Sequence, residues 1–161
     1  MANYTGANVI TTSDIQKYQP DAFDFGISTT ATETTNFLAQ TTNDILRQLR
    51  VEWWPVYKTN IFTDITVLNT AEMVNTKVNL DQFERAGVYL FLGRFYLPAL
   101  TKFRPETEKD RFERMAEYYM SQYNIEWRMI LEDGVEYDVD SSGTIVANER
   151  EPLHGFRRLT R

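Results

Sequence analysis

Residues 105–134 read PETEKDRFERMAEYYMSQYNIEWRMILEDG, and this stretch decides the fold class. Phe112, Met115, Ala116, Tyr119, Met120, Tyr123, Trp127, Ile130 and Leu131 recur at three- and four-residue intervals. That period gathers them into one broad apolar stripe on a long helix, with a charged face opposite. Glu106, Glu108 and Asp110 suit the positive end of a helix dipole, Pro105 fits a first turn, and Gly134 is a stop signal. A stripe so rich in Tyr, Trp and Met needs other helices to cover it, so the rest of the chain is read as those helices plus arms.

Upstream of this helix, the segment from Asn79 supplies one partner. Asn79 with Gln82 forms a start signal for a helix carrying Phe83, Ala86, Gly87, Leu90, Phe91 and Phe95, which Pro98 should kink or end. Gly87 and Gly93 each cost about 1 kcal/mol relative to alanine inside a helix, so close approach of another helix is the expected reason for them. The short link to the long helix favours an antiparallel hairpin. A second partner is expected over residues 31–53, opened by Thr30 with Glu33 and ending before Pro55, with a stripe of Leu38, Ile45, Leu49 and Trp53. Between them, Ile61, Ile65, Val67 and Leu68 suggest a brief extended piece, and Thr70 to Asn75 one helical turn. Nearer the start, Ser13 with Gln16 predicts a short helix ending at Pro20, and Phe23, Phe25 and Ile27 anchor the leader that follows.

The expected fold is therefore mainly α: a small helical bundle with a long penultimate helix, an extended N-terminal arm, and a C-terminal hairpin or loop followed by a flexible tail. The 161 residues are read as a single domain, with the arm over 1–30, the helical body over 31–134 and the hairpin and C-terminal arm over 135–161. Aromatic residues make up 14% of the chain, and an aromatic core is preferred over a partner-facing surface as their explanation.

Composition also excludes function classes. The absence of Cys removes thiol catalysis, Cys-based zinc sites and a disulfide framework. No apolar run is long enough to span a membrane and the N-terminus lacks a signal-peptide pattern, which predicts a soluble chain made in the cytoplasm. A formal net charge of −6 argues against nucleic-acid binding, since phosphates call for clustered Lys and Arg. His154 stands alone in a polar tail, and there is no Gly-rich phosphate loop or nucleophile elbow, so no enzyme is expected. An enzyme with a carboxylate site is the last of the readings considered.

One motif carries chemistry. From Asp138 to Glu149 the chain matches the twelve-residue calcium loop, with Asp138, Asp140, Ser142, Thr144 and Glu149 at ligand positions one, three, five, seven and twelve and Gly143 at six. The competing reading is a β-hairpin: Val135, Tyr137 and Val139 alternate, DSSG supplies turn residues, and Thr144 to Val146 return. Helical context favours the hairpin, because the incoming helix ends near Gly134 and Pro152 and Gly155 compromise an outgoing one. Beyond it, Phe156, Arg157, Arg158, Leu159 and Arg161 form a basic, apolar tail beside the acidic stretch 106–140. Two readings of that tail stand open: a segment that gains order on assembly, or a disordered terminus.

The layout, with the Tyr- and Arg-rich helix RFERMAEYYMSQYNIEWRMIL followed by YDVDSSGTIVANE and a basic tail, resembles the head–tail connector, or adaptor, proteins of tailed bacteriophages. Its one local signature is Tyr137 to Glu149. The resemblance implies a structural protein of the virion neck without catalysis or cofactor, made in the host cytoplasm. It further implies a ring of about twelve copies docked on the portal protein and linked to the next neck or tail protein. Composition, not the family, points to Phe156, Arg157, Arg158, Leu159 and Arg161 as the portal-docking segment. The alternative is a calcium-binding regulatory module built on Asp138 to Glu149.

Overall fold

A computed structural model of the chain describes residues 8–25, 28–101, 111–145 and 149–151. The fold is mainly helical, as the apolar periodicity predicts, with seven α-helices among the described residues: α1 (Thr12–Tyr18), α2 (Thr32–Gln48), α3 (Trp54–Ile61), α4 (Ile65–Thr70), α5 (Glu84–Leu90), α6 (Leu97–Leu100) and α7 (Arg111–Asp133). Two short strands, β1 (Val135–Glu136) and β2 (Arg150–Glu151), complete it. The chain divides into two units, one of residues 8–45 and 83–127 and one built from 46–82 and from 128 onward, so that α2 and α7 each contribute to both.

In the unit of residues 8–45 and 83–127, α7 buries the side predicted for it: Ala116, Tyr123 and Trp127 are buried, and Trp127 packs on Phe83 with ring centroids 5.9 Å apart. Facing it, α5 passes into a π-helical stretch, Phe91–Tyr96, and then α6. The i→i+5 bonding of a π turn brings Phe91 over Tyr96, and these rings stack at 5.6 Å. Gly93 lies in that stretch because nothing larger fits. A Cβ there would stand 2.9 Å from the Met120 backbone nitrogen and 3.0 Å from the Ala116 carbonyl oxygen. Gly87 is crowded by Val9 and Ile10, so its neighbour is the N-terminal segment and not a helix. That segment is fixed at its root: Val9 and Ile10 are buried, and the Val9 N–H donates to Thr42 Oγ1 at 2.9 Å.

Several local expectations are corrected. The first helix is capped by Thr11 with Asp14 in a reciprocal box, not by Ser13 with Gln16, because Thr11 has extended backbone and both side chains reach the opposite amide. At the start of α2, Ser28 organises the turn: its hydroxyl accepts the Thr30 N–H and its carbonyl accepts the Thr34 hydroxyl. Pro55 opens a helix where it was expected to follow the end of one. The chain runs through a π-helical Leu49–Trp53 into α3, and Pro55 sits in the first turn of α3, where its missing N–H costs nothing. Residues 65–70 are helical and not extended, since the Asp64 carboxylate caps α4 by accepting the Thr66 N–H at 2.8 Å. Asn79 opens a 3₁₀ turn, Leu80–Phe83, and not the helix expected to start from it: its side chain accepts the Asp81 N–H and its carbonyl the Gln82 side-chain amide, while α5 begins at Glu84 without a side-chain cap. Of the leader anchors, Phe23 packs edge-on against Tyr96 at 5.4 Å, while the Phe25 side chain and Ile27 lie outside the described residues, as do Pro105, Glu106, Glu108 and Asp110.

In the unit of residues 46–82 and 128 onward, Trp53, Trp54, Tyr57 and Tyr137 form one aromatic cluster, all four buried. Gly134 ends α7 with φ +100, a left-handed conformation that favours glycine, and β1 follows at once. Among the described residues no helix is long and apolar enough to cross a membrane.

The Gly93 contact is backbone against backbone and cannot relax by moving a side chain. Gly93→Ala should therefore lower the unfolding free energy in urea by about 1–3 kcal/mol, whereas Asn124→Ala, at an exposed position of α7, should stay within about 0.5 kcal/mol; equal effects would remove the close-approach explanation.

Candidate functional site: the acidic loop after the long helix

β1 pairs antiparallel with β2, Val135 opposite Glu151 and Glu136 opposite Arg150. The hairpin expected here exists, but its pairing strand is Arg150–Glu151, while Thr144 and Ile145, the described part of the expected return Thr144 to Val146, are not in a strand. Closing further out leaves Thr144 and Ile145 unpaired as loop and frees the carboxylates to turn inward.

Tyr137 is the root of the loop. It forms an isolated antiparallel bridge with Val78, its hydroxyl accepts the Val74 N–H at 3.1 Å, and its ring lies among Trp53, Trp54 and Tyr57. Burial pushes its phenol upward from the ordinary tyrosine range. The next residue, Asp138, is 4% exposed, as is Glu149. The loop backbone turns around these two groups. Asp138 Oδ1 accepts the Ser142 N–H at 3.0 Å and Oδ2 the Gly143 N–H at 2.8 Å, while Glu149 Oε1 accepts the Val139 N–H at 2.8 Å. Gly143 has φ +79 and supplies the turn that a calcium loop needs at its sixth position.

Carboxylate oxygens of Asp138, Asp140 and Glu149 lie within 4.8 Å of one another. Oxygens on opposite sides of a calcium ion bound at 2.3–2.6 Å stand about 5 Å apart, so this spacing fits a hard cation. The N–H bonds do not use up the oxygens, because each carboxylate oxygen has a second lone pair. Ser142 and Thr144, the other two predicted ligands, are exposed and bonded to each other: Ser142 Oγ donates to the Thr144 carbonyl at 3.0 Å. The structure thus brings three of the five predicted metal residues together through side chains.

Sequence reasoning missed Lys77. Its ammonium donates to the Val139 carbonyl at 2.6 Å, and its charge helps to lower Asp140. It thus places one positive charge at the loop, where it offsets part of the charge of Asp140. No local pattern marks it, since it lies far from the loop in sequence. Phe156, Arg157, Arg158, Leu159 and Arg161, the predicted docking segment, lie outside the described residues, as does His154.

No protein-family model matches this chain, and neither a curated protein nor a solved structure matches it.

Asp140 is exposed, and hydrogen bonds from Ser142, joined by the charge of Lys77, hold its carboxyl below the usual aspartate range. A lowered folded-state pKa contributes stability that is present above the unfolded value and lost as pH falls through the folded one. Carboxyl-carbon NMR should therefore place the Asp140 midpoint below that of a free aspartate, about 3.9. A midpoint at or above 4 would contradict the bonding described.

Proposed function

We propose that this chain is a structural virion protein, a head–tail connector that docks on the portal ring and links the capsid to the next neck or tail protein. The observation that carries the reading is the segment Tyr137–Glu149. It is the part of the sequence that resembles connector proteins, and its described residues, 137–145 and 149, belong to a loop closed by β1 and β2 just before the C-terminal segment. An arm with a fixed root and a basic, apolar end suits a subunit that grips a neighbour during assembly. Phe156, Arg157, Arg158, Leu159 and Arg161 are the proposed portal contacts, with apolar side chains to bury and guanidinium groups to pair with carboxylates. A mainly helical body rich in buried aromatics forms the ring wall in this reading, and the virion neck is its location.

Mass photometry of the purified protein with a portal ring from the same source tests this directly. The expected result is a stable shift to a ring-on-ring mass, lost on deletion of residues 156–161 while the helical circular dichroism is retained. Failure of the intact chain to join the portal would overturn the reading.

A second reading has its own observation, the convergence of Asp138, Asp140 and Glu149. If these carboxylates hold a hard cation, the protein is a calcium-responsive module, or a connector whose arm root a cation stiffens. Adding calcium to chelator-treated protein should then raise the melting temperature by several degrees, and Glu149→Gln should abolish the rise. No shift at millimolar calcium would end this reading and leave Asp138 and Glu149 as backbone-holding groups.

A further inference from the structure

The exposed side of α7 is less polar than a solvated helix face should be. Tyr118 is 59% exposed, and Ile125 and Met129 are each 50% exposed. Spaced by seven and four residues on one unbroken helix, the three side chains lie along a single line. Arg114 extends that line toward the start of the helix, and Glu132 extends it toward the end. Tyr, Met and Arg are the residue types enriched where proteins meet.

The charges on this line run against the helix they sit on. Glu132 and Asp133 occupy the last turn of α7, where the helix dipole is negative, and that turn carries no basic residue. Each such acid is unfavourable in an isolated helix. A second α7 laid antiparallel reverses the sign of this effect, because it brings the arginine-bearing end of one helix beside the acidic end of the other. A two-fold axis near Gln122 and Tyr123 would set Arg114 beside the second copy's Glu132, Tyr118 beside its Met129, and Ile125 beside its Ser121. The line is thus self-complementary in charge, and Tyr118 meets Met129 on each side of the axis, as an isologous contact requires.

We propose that the free protein pairs with a second copy of itself through this face, α7 against α7 in antiparallel sense. The proposal does not depend on the connector reading. It adds to it, however, since a two-fold pair is closed and cannot extend into a ring. In a connector the pair would have to part before assembly, and would keep Tyr118, Ile125 and Met129 covered until then. One helix pair buries less surface than a standard stable interface, so the association is weak, in the micromolar range.

Sedimentation equilibrium of the full chain from about 1 to 200 µM, a range set by that weak affinity, tests the pairing. The expected result is a monomer–dimer equilibrium. Arg114→Glu and Glu132→Arg should each weaken it at least tenfold by facing like charges twice. The double variant, which reverses both charges, should restore dimers to within about threefold of the original by the same charge bookkeeping. Circular dichroism of each variant checks that the helices remain. A monomer across the whole range, a dimer indifferent to the single reversals, or a double variant that stays monomeric while folded would each overturn the proposal. Portal binding is read in a separate assay, so failure here leaves the connector reading untouched and failure there leaves the pairing untouched.

Discussion

Trp53 stacks on Tyr57 with ring centroids 4.2 Å apart, and Tyr137 closes over both at 5.7 and 5.6 Å. The candidate site depends on this contact. Burying one large aromatic side chain stabilises by roughly 1.5–3 kcal/mol, and each well-placed ring pair adds about 0.5–1.5 kcal/mol. A single loop hydrogen bond contributes about 1 kcal/mol net. The rings therefore decide where the loop begins, and the bonds around Asp138 and Glu149 decide only how it turns. Because Tyr137 is held, Asp138 is delivered into a buried position whatever its own preference for water. The same cluster explains the unusual course of the chain at residues 49–57. A π-helical stretch followed at once by a helix with Pro55 in its first turn keeps Trp53, Trp54 and Tyr57 on one side, where Tyr137 can meet them.

How far the sequence speaks for the fold follows from how local each cause is. The long helix was legible because its stripe repeats over many turns and one glycine with positive φ ends it, and both signals lie within the segment. Gly93 was legible as a close approach because glycine is otherwise unfavourable inside a helix, and the backbone of Met120 and Ala116 supplies the reason. Pro55 misled because a proline marks a helix boundary without saying on which side the helix lies. Residues 65–70 misled because Ile65, Val67 and Leu68 favour strands by composition, while one carboxylate, Asp64, outweighs them by capping the turn. At Thr11 against Ser13, two hydroxyl residues with suitably spaced partners compete, and only backbone conformation separates them.

The site divides in the same way. Asp138, Asp140 and Glu149 were named from spacing alone, and the folded loop brings them within 4.8 Å. Where the second strand pairs was not legible, because Arg150 and Glu151 have no strand propensity, and the ion pair of Arg150 with Glu136 exists only once the two strands lie side by side. Lys77 was invisible for a stronger reason: its role exists only once Val78 and Tyr137 are bridged, which no pattern within either segment encodes.

Charge links the loop to the rest of the reading. Three carboxylates and one ammonium leave an excess of negative charge at the loop, and Glu132 and Asp133 at the end of α7 add to the acidic character of this stretch. Such a concentration of acid is tolerable in an isolated subunit only where water or N–H donors solvate it, and here Ser142, Gly143 and Val139 supply the donors for the two buried groups. The exposed remainder is available to cations of any kind: a metal ion, a lysine, or an arginine from another chain. The proposed α7 pairing draws on that exposed remainder, and the calcium reading adds the two buried carboxylates to it. They differ in which acids they engage. A metal needs Asp138, Asp140 and Glu149 together, because a hard ion requires several oxygens at once. An antiparallel α7 needs Glu132 alone, aligned with an arginine eighteen positions earlier on the opposing helix. Substitutions at Glu149 and Glu132 therefore test the two proposals separately, even though both remove one negative charge from the same short stretch of chain.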